Sequence, residues 1–155
     1  MYQLEVKRWL VEHRFHPKDG WRVQVDVDAM ERANGGTHRP DKAERAKEAE
    51  AALVAMGALV GGHPEHGRVD IVAEHPLHGC CLVEVEGLSS KQKEQAVYSA
   101  LGQLLLLMEE GKHGFVIAVP DQPAWERQLA KIPAHVRKLL RLSCVLVSPE
   151  GVREL

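Results

Sequence analysis

Apolar residues recur at every second position through Trp21-Arg22-Val23-Gln24-Val25-Asp26-Val27, the pattern of a β-strand with one face buried. Two further runs, Arg68–Ala73 and Cys80–Glu86, also read as strands, the second entered through the turn His75-Pro76-Leu77-His78-Gly79. Between them and the first strand the spacing changes. Ala33–Pro40 is a loop, Asp41 is placed to N-cap a helix with Glu44 as capping-box partner, and the helix is expected to stop at Gly57. Ala49, Ala52, Leu53 and Met56 form its apolar stripe. A longer helix is predicted over residues 89–110, with Ala96, Val97, Ala100, Leu101, Leu104 and Met108 turned to a sheet. Phe115–Val119 reads as a strand, Gln122 to Arg141 as a helix bent or broken near Pro133, and Cys144–Val147 as the closing strand. Residues 3–13 fit helix and strand equally. The order predicts an α/β fold: a mixed β-sheet core flanked by helices, its last strands joined by crossovers, in one compact domain over residues 1–155.

Bulk properties narrow the class. A chain of 155 residues is long enough for one substantial core without disulfides or a metal staple. A hydrophobic fraction of 45% and a charged fraction of 27% are those of a water-soluble globular protein. With a net charge of −2, any nucleic-acid contact must come from a local basic patch. Cys80, Cys81 and Cys144 lie in apolar strand-like runs and give no disulfide framework, so they read as small buried hydrophobes in a reducing cytoplasm. The first residues lack a secretory signal pattern, and apolar runs such as Leu104 to Met108 are far too short to cross a bilayer. A cytoplasmic protein with no membrane partner is expected. The lone asparagine, Asn34, fits either a thermophile or a GC-rich genome.

Candidate chemistry centres on three carboxylates. Asp70, Glu84 and Glu86 sit in the two short strands, where an unpaired buried charge costs several kcal/mol. Side chains alternate along a strand, so Glu84 and Glu86 share a face, and a hairpin would bring Asp70 to them. Such an all-oxygen set suits Mg²⁺ or Mn²⁺. On the following helix Lys91, Gln95, Ser99 and Gln103 make a polar stripe whose N-terminal end follows the Glu84–Glu86 strand. Lys91 is placed to turn back towards the acids, where a helix N-terminus favours phosphate.

The stretches Gly67-Arg68-Val69-Asp70-Ile71-Val72-Ala73, Leu82-Val83-Glu84-Val85-Glu86-Gly87 and Gln95 to Leu104 resemble the PD-(D/E)XK nuclease superfamily, the restriction-endonuclease-like fold. The resemblance covers roughly residues 41–120. It implies a Mg²⁺- or Mn²⁺-dependent nuclease that cuts nucleic acid, DNA first, with a homodimer as one arrangement for addressing two strands. Asp70 and Glu84 correspond to metal ligands. The family often adds an acid from its first helix, for which Glu48 is the choice here and Glu44 the neighbour. Glu86 stands where the family has lysine; it would take a proton from water or hold a second metal, with Lys91 (or Lys93) as a displaced lysine and Gln95 holding substrate or water. Members without the lysine include active enzymes and others that keep only the fold, so a catalytically inactive nucleic-acid-binding or assembly subunit is the alternative.

Two further patterns were weighed. Arg127, Lys131, His135 and Lys138 form a basic stripe on the last predicted helix, with Leu129, Ile132, Val136 and Leu139 on its buried side; the stripe fits a solvated face or phosphate contact. His63, His66, His75 and His78 precede Cys80 and Cys81, but with no Cys-x-x-Cys pair a structural zinc site is the minor reading.

Overall fold

The undecided N-terminal segment is a helix, α1 (Gln3–Arg14), that buries Leu4, Val6, Lys7, Leu10 and Val11 on one face. The Glu5 carboxylate accepts the Tyr2 N–H at 2.8 Å and steadies its first turn. The structure, a computed structural model, describes residues 1–89 and 91–155. After α1 the chain forms β1 (Arg22–Val25), a single-turn helix α2 (Ala29–Arg32), α3 (Lys42–Met56), β2 (Leu59–Val60), β3 (Ile71–His75) and β4 (Gly79–Val85). Then follow α4 (Lys93–Leu105), β5 (Gly114–Pro120), α5 (Pro123–Leu129), α6 (Ala134–Leu140), β6 (Leu142–Ser148) and β7 (Gly151–Glu154).

One mixed sheet holds all seven strands in the order β2-β1-β3-β4-β5-β6-β7. Strands β1, β3 and β4 pair antiparallel, which puts the Asp70 and Glu84 segments in the expected hairpin. β4, β5 and β6 run parallel, and α4 and the α5–α6 pair make the two crossovers that parallel pairing requires. Alternation along the strands divides the core. Val83, Val85, Val116, Ala118, Val145 and Val147 meet α1 and α3 on one face. Leu82, Ile117, Cys144 and Leu146 meet Ala96, Val97, Ala100, Leu104, Trp125 and Leu129 of α4 and α5 on the other. Cys80 and Cys81 pack against opposite clusters, as their adjacency requires.

The elements depart from the sequence reading at five places. Against the sheet lies α1, and α3 packs outside it, so the helix at 42–56 is a second layer. Asp41 lacks the capping bond and gives its oxygens instead to the Tyr2 hydroxyl and the Arg45 guanidinium, both at 2.9 Å. The helix predicted from residue 89 begins at Lys93; Ser90 lies outside the described residues. Pro133 breaks the last helix outright, so Arg127 and His135 belong to different helices and the basic stripe is not one helical face. Its Lys131 lies 3.4 Å from Glu94. The closing hairpin strand β7, too short to show a pattern, adds an edge.

Candidate functional site

Extending the β1–β3 register by one residue past Val25 and Ile71 sets Asp26 opposite Asp70, and the Asp26 N–H donates to the Asp70 carbonyl at 2.9 Å. The β3–β4 register, extended likewise, sets Asp70 opposite Glu84. Asp26, Asp70 and Glu84 thus make a row of carboxylates across three adjacent strands, on the face shared with α4. Opposed residues in such a row have Cβ atoms about 4.5–5.5 Å apart, close enough for like charges to repel. Glu86 follows two residues beyond Glu84 on the same side. All four border a polar cavity of 390 Å³, together with Gln3, Asp28, Arg68, Lys91 and Gln103.

The row is held from behind by α1. Lys7 has no exposed side-chain area, and its ammonium lies 2.9 Å from Asp70 Oδ1 and 2.7 Å from Glu31 Oε1. It also donates to the Asp26 carbonyl at 2.6 Å. Burial alone would lower the Lys7 pKa, but attraction to Asp70 and Glu31 outweighs it and the pKa is raised, so the lysine stays charged. Asp70 Oδ1 also accepts from Gln3 Nε2 at 3.3 Å, and Oδ2 accepts the Val85 N–H at 2.9 Å. Glu31 is fixed by a capping box with Asp28, each side chain bonding the other's N–H at 2.8 and 2.9 Å.

Glu84 is the least satisfied member. It is 7% exposed, and among the described residues no basic group lies within ion-pair distance of it. Burial, then the charge of Asp70 and a hydrogen bond with it, push its pKa up to about 9. Burial also lifts Glu86 to about 7, Lys91 opposing the shift and Asp70 adding to it.

Of the residues expected from sequence, Asp70, Glu84, Glu86 and Lys91 meet at the cavity. Lys91 does so from the loop before α4 rather than from a helical turn. Gln95 is exposed outside the cavity lining, and Gln103, two turns along the same stripe, lines it instead. Glu48 and Glu44 are exposed on α3, away from the lining, because α1 stands between that helix and the sheet. Lys7, Gln3 and Asp26 were missed. Lys7 had a signal, a single lysine within the apolar stripe Leu4, Leu10 and Val11; Asp26 had only its place on the polar side of an alternating strand.

Hollows flank the site. Arg39 and Lys42 line one beside Gln3 and Asp28, and Lys91 and Lys93 line the other beside Gly87. The histidine loops lie apart: His63 bonds Glu74 at 2.8 Å, and His75 and His78 stack near Trp21, with ring centroids 4.9 and 5.8 Å from the indole. Among the described residues, no three His, Cys, Asp or Glu side chains converge as a ready-made metal cage. No family model, curated protein or solved structure matches the chain.

Proposed function

We propose that this protein is a divalent-metal-dependent nuclease, hydrolysing phosphodiester bonds in nucleic acid and in DNA first, on the PD-(D/E)XK plan. The observation that carries the reading is Glu84: a carboxyl 7% exposed, opposed to Asp70 and turned into an open polar cavity with no basic partner among the described residues. The donors are all oxygen, the chemistry that Mg²⁺ and Mn²⁺ favour. Asp70 and Glu84 would hold the cation. When bound, such an ion lowers the pKa of a coordinated water and offsets charge on the scissile phosphate. Glu86, two residues beyond Glu84 on the same side of β4 and bordering the same cavity, is placed to accept the water's proton. Lys91 and Arg68 provide cations at the cavity rim for the phosphate, and Gln3 and Gln103 provide amides that orient substrate or water.

A non-catalytic nucleic-acid-binding or assembly subunit on the same plan is the rival, favoured by one observation. Lys7 already neutralises Asp70 from within the protein. The two separate by assay of single-stranded, duplex and branched DNA, and of RNA, with Mg²⁺ or Mn²⁺. Cleavage is expected that vanishes in Asp70→Ala and Glu84→Ala variants shown by thermal melts to remain folded, Asp70→Ala melting lower because Lys7 loses a buried partner. Wild-type cleavage that persists in excess EDTA would sink the metal mechanism, and Mn²⁺ binding without cleavage of any substrate would assign the non-catalytic role.

A further inference from the structure

Asp26 has a backbone fully committed to the fold and a side chain that is not. Its N–H bonds Asp70 and its carbonyl takes the Lys7 ammonium, at 2.9 and 2.6 Å. The carboxylate, by contrast, has one loose polar contact among the described residues, 3.4 Å from the Nε of Arg68, whose own side chain is 75% exposed. That carboxylate is nonetheless only 15% exposed and borders the same cavity as Glu84.

Asp70, in the middle of the row, has little to give a ligand. Oδ1 is taken by Lys7 and Gln3 and Oδ2 by the Val85 N–H, which leaves about one lone pair. A hard cation takes six or more oxygens, and at a protein Mg²⁺ keeps several of its waters and is anchored by one or two carboxylates. Glu84 provides that anchor on the β4 side. On the β1 side the row ends in Asp26.

We infer that Asp26 is a metal ligand of this site, so that a divalent cation is held by Asp26, Asp70 and Glu84 across β1, β3 and β4, and that its arrival frees Arg68 from Asp26 for a phosphate oxygen. The inference rests on the metal-dependent reading above and goes further, because it brings in a residue and a strand that reading does not need. It also gives Arg68 two states: paired with Asp26 without metal, and available to an anionic substrate with it. The exchange is charge-balanced, since the cation takes over the neutralisation of Asp26 that the guanidinium had supplied.

Titration with Mn²⁺, followed by the electron paramagnetic resonance of the free ion, tests this without reference to cleavage. Wild type is expected to bind, and Asp26→Asn and Glu84→Gln each to weaken binding on the order of 100-fold. Arg68→Ala is expected to bind Mn²⁺ at least as tightly as wild type, because it removes a competitor for Asp26. Asp26→Glu, which keeps the charge on a longer arm, should recover part of the affinity lost in Asp26→Asn. If Asp26→Asn binds like wild type while Glu84→Gln does not, the role of Asp26 is overturned and the metal site stands. Equal weakening in Asp26→Asn and Arg68→Ala overturns it also, since the aspartate would then act through the arginine. Wild-type protein that takes up no Mn²⁺ overturns the metal-dependent reading, and this inference with it. Thermal melts of each variant report folding independently of the titration.

Discussion

A lysine side chain with no exposed area survives in a core only where its charge is matched, because an ammonium withdrawn from water without partners costs several kcal/mol or more. Lys7 has Asp70, Glu31 and the Asp26 carbonyl around it. Replacing it with methionine keeps the bulk and strands two carboxylates. The Lys7→Met variant is expected to lose about 3–5 kcal/mol in urea denaturation, the cost of breaking a buried pair. A loss under about 1 kcal/mol would show the ion pairs to be incidental. Lys7 also shows what a single sequence hides. The position of one lysine inside an apolar stripe was visible, but its partners lie at residues 26, 31 and 70, and no local spacing joins them. Asp70, Glu84 and Glu86 were legible because each breaks an otherwise apolar strand, which is a local signal.

Among the elements, the strands from β3 to β6 were readable because burial on both faces or on one leaves a plain mark in the sequence. The N-terminal helix was not, for the reason that made Lys7 hard to place: a charge on its buried face spoils the apolar period. Assigning the helix beside the sheet to residues 42–56 then followed, and with it the choice of Glu48. What seats α1 is a close backbone approach. A Cβ added at Gly87, just past β4, would lie 2.5 Å from the Gln3 nitrogen and 2.8 Å from its Cα, backbone atoms that cannot swing aside. The Leu88 N–H bonds the Met1 carbonyl at 2.8 Å beside it. Gly87→Ala is therefore expected to lift the first turn of α1, costing about 1–3 kcal/mol by thermal or urea melts. A variant with wild-type stability would mean the two segments part without consequence.

For the molecule as a whole, the acids set how stability follows pH. Glu84 and Glu86 have pKa values raised to about 9 and about 7, so the folded protein holds protons that the unfolded chain has released. Stability then falls as pH rises above the ordinary carboxylate range, by up to about 1.4 kcal/mol per pH unit for each group, until the folded pKa is passed. The buried Glu31, raised by burial against the pull of Lys7, acts in the same direction. Metal-free protein should therefore melt highest at mildly acidic pH and progressively lower towards pH 9, with Glu84→Gln flattening the profile and Mn²⁺ raising the alkaline end. A profile with the same slope in wild type and Glu84→Gln would remove Glu84 as the cause. The path of α1 has a practical consequence as well. The helix starts against Gly87 at the exit of β4 and ends at the far edge of the sheet, where Arg14 pairs with Glu154 of β7 at 3.2 Å. A fusion partner or affinity handle attached before Met1 would crowd the hollow that Met1 shares with Lys91, whereas one joined after Leu155 leaves from the opposite margin and keeps the cavity open.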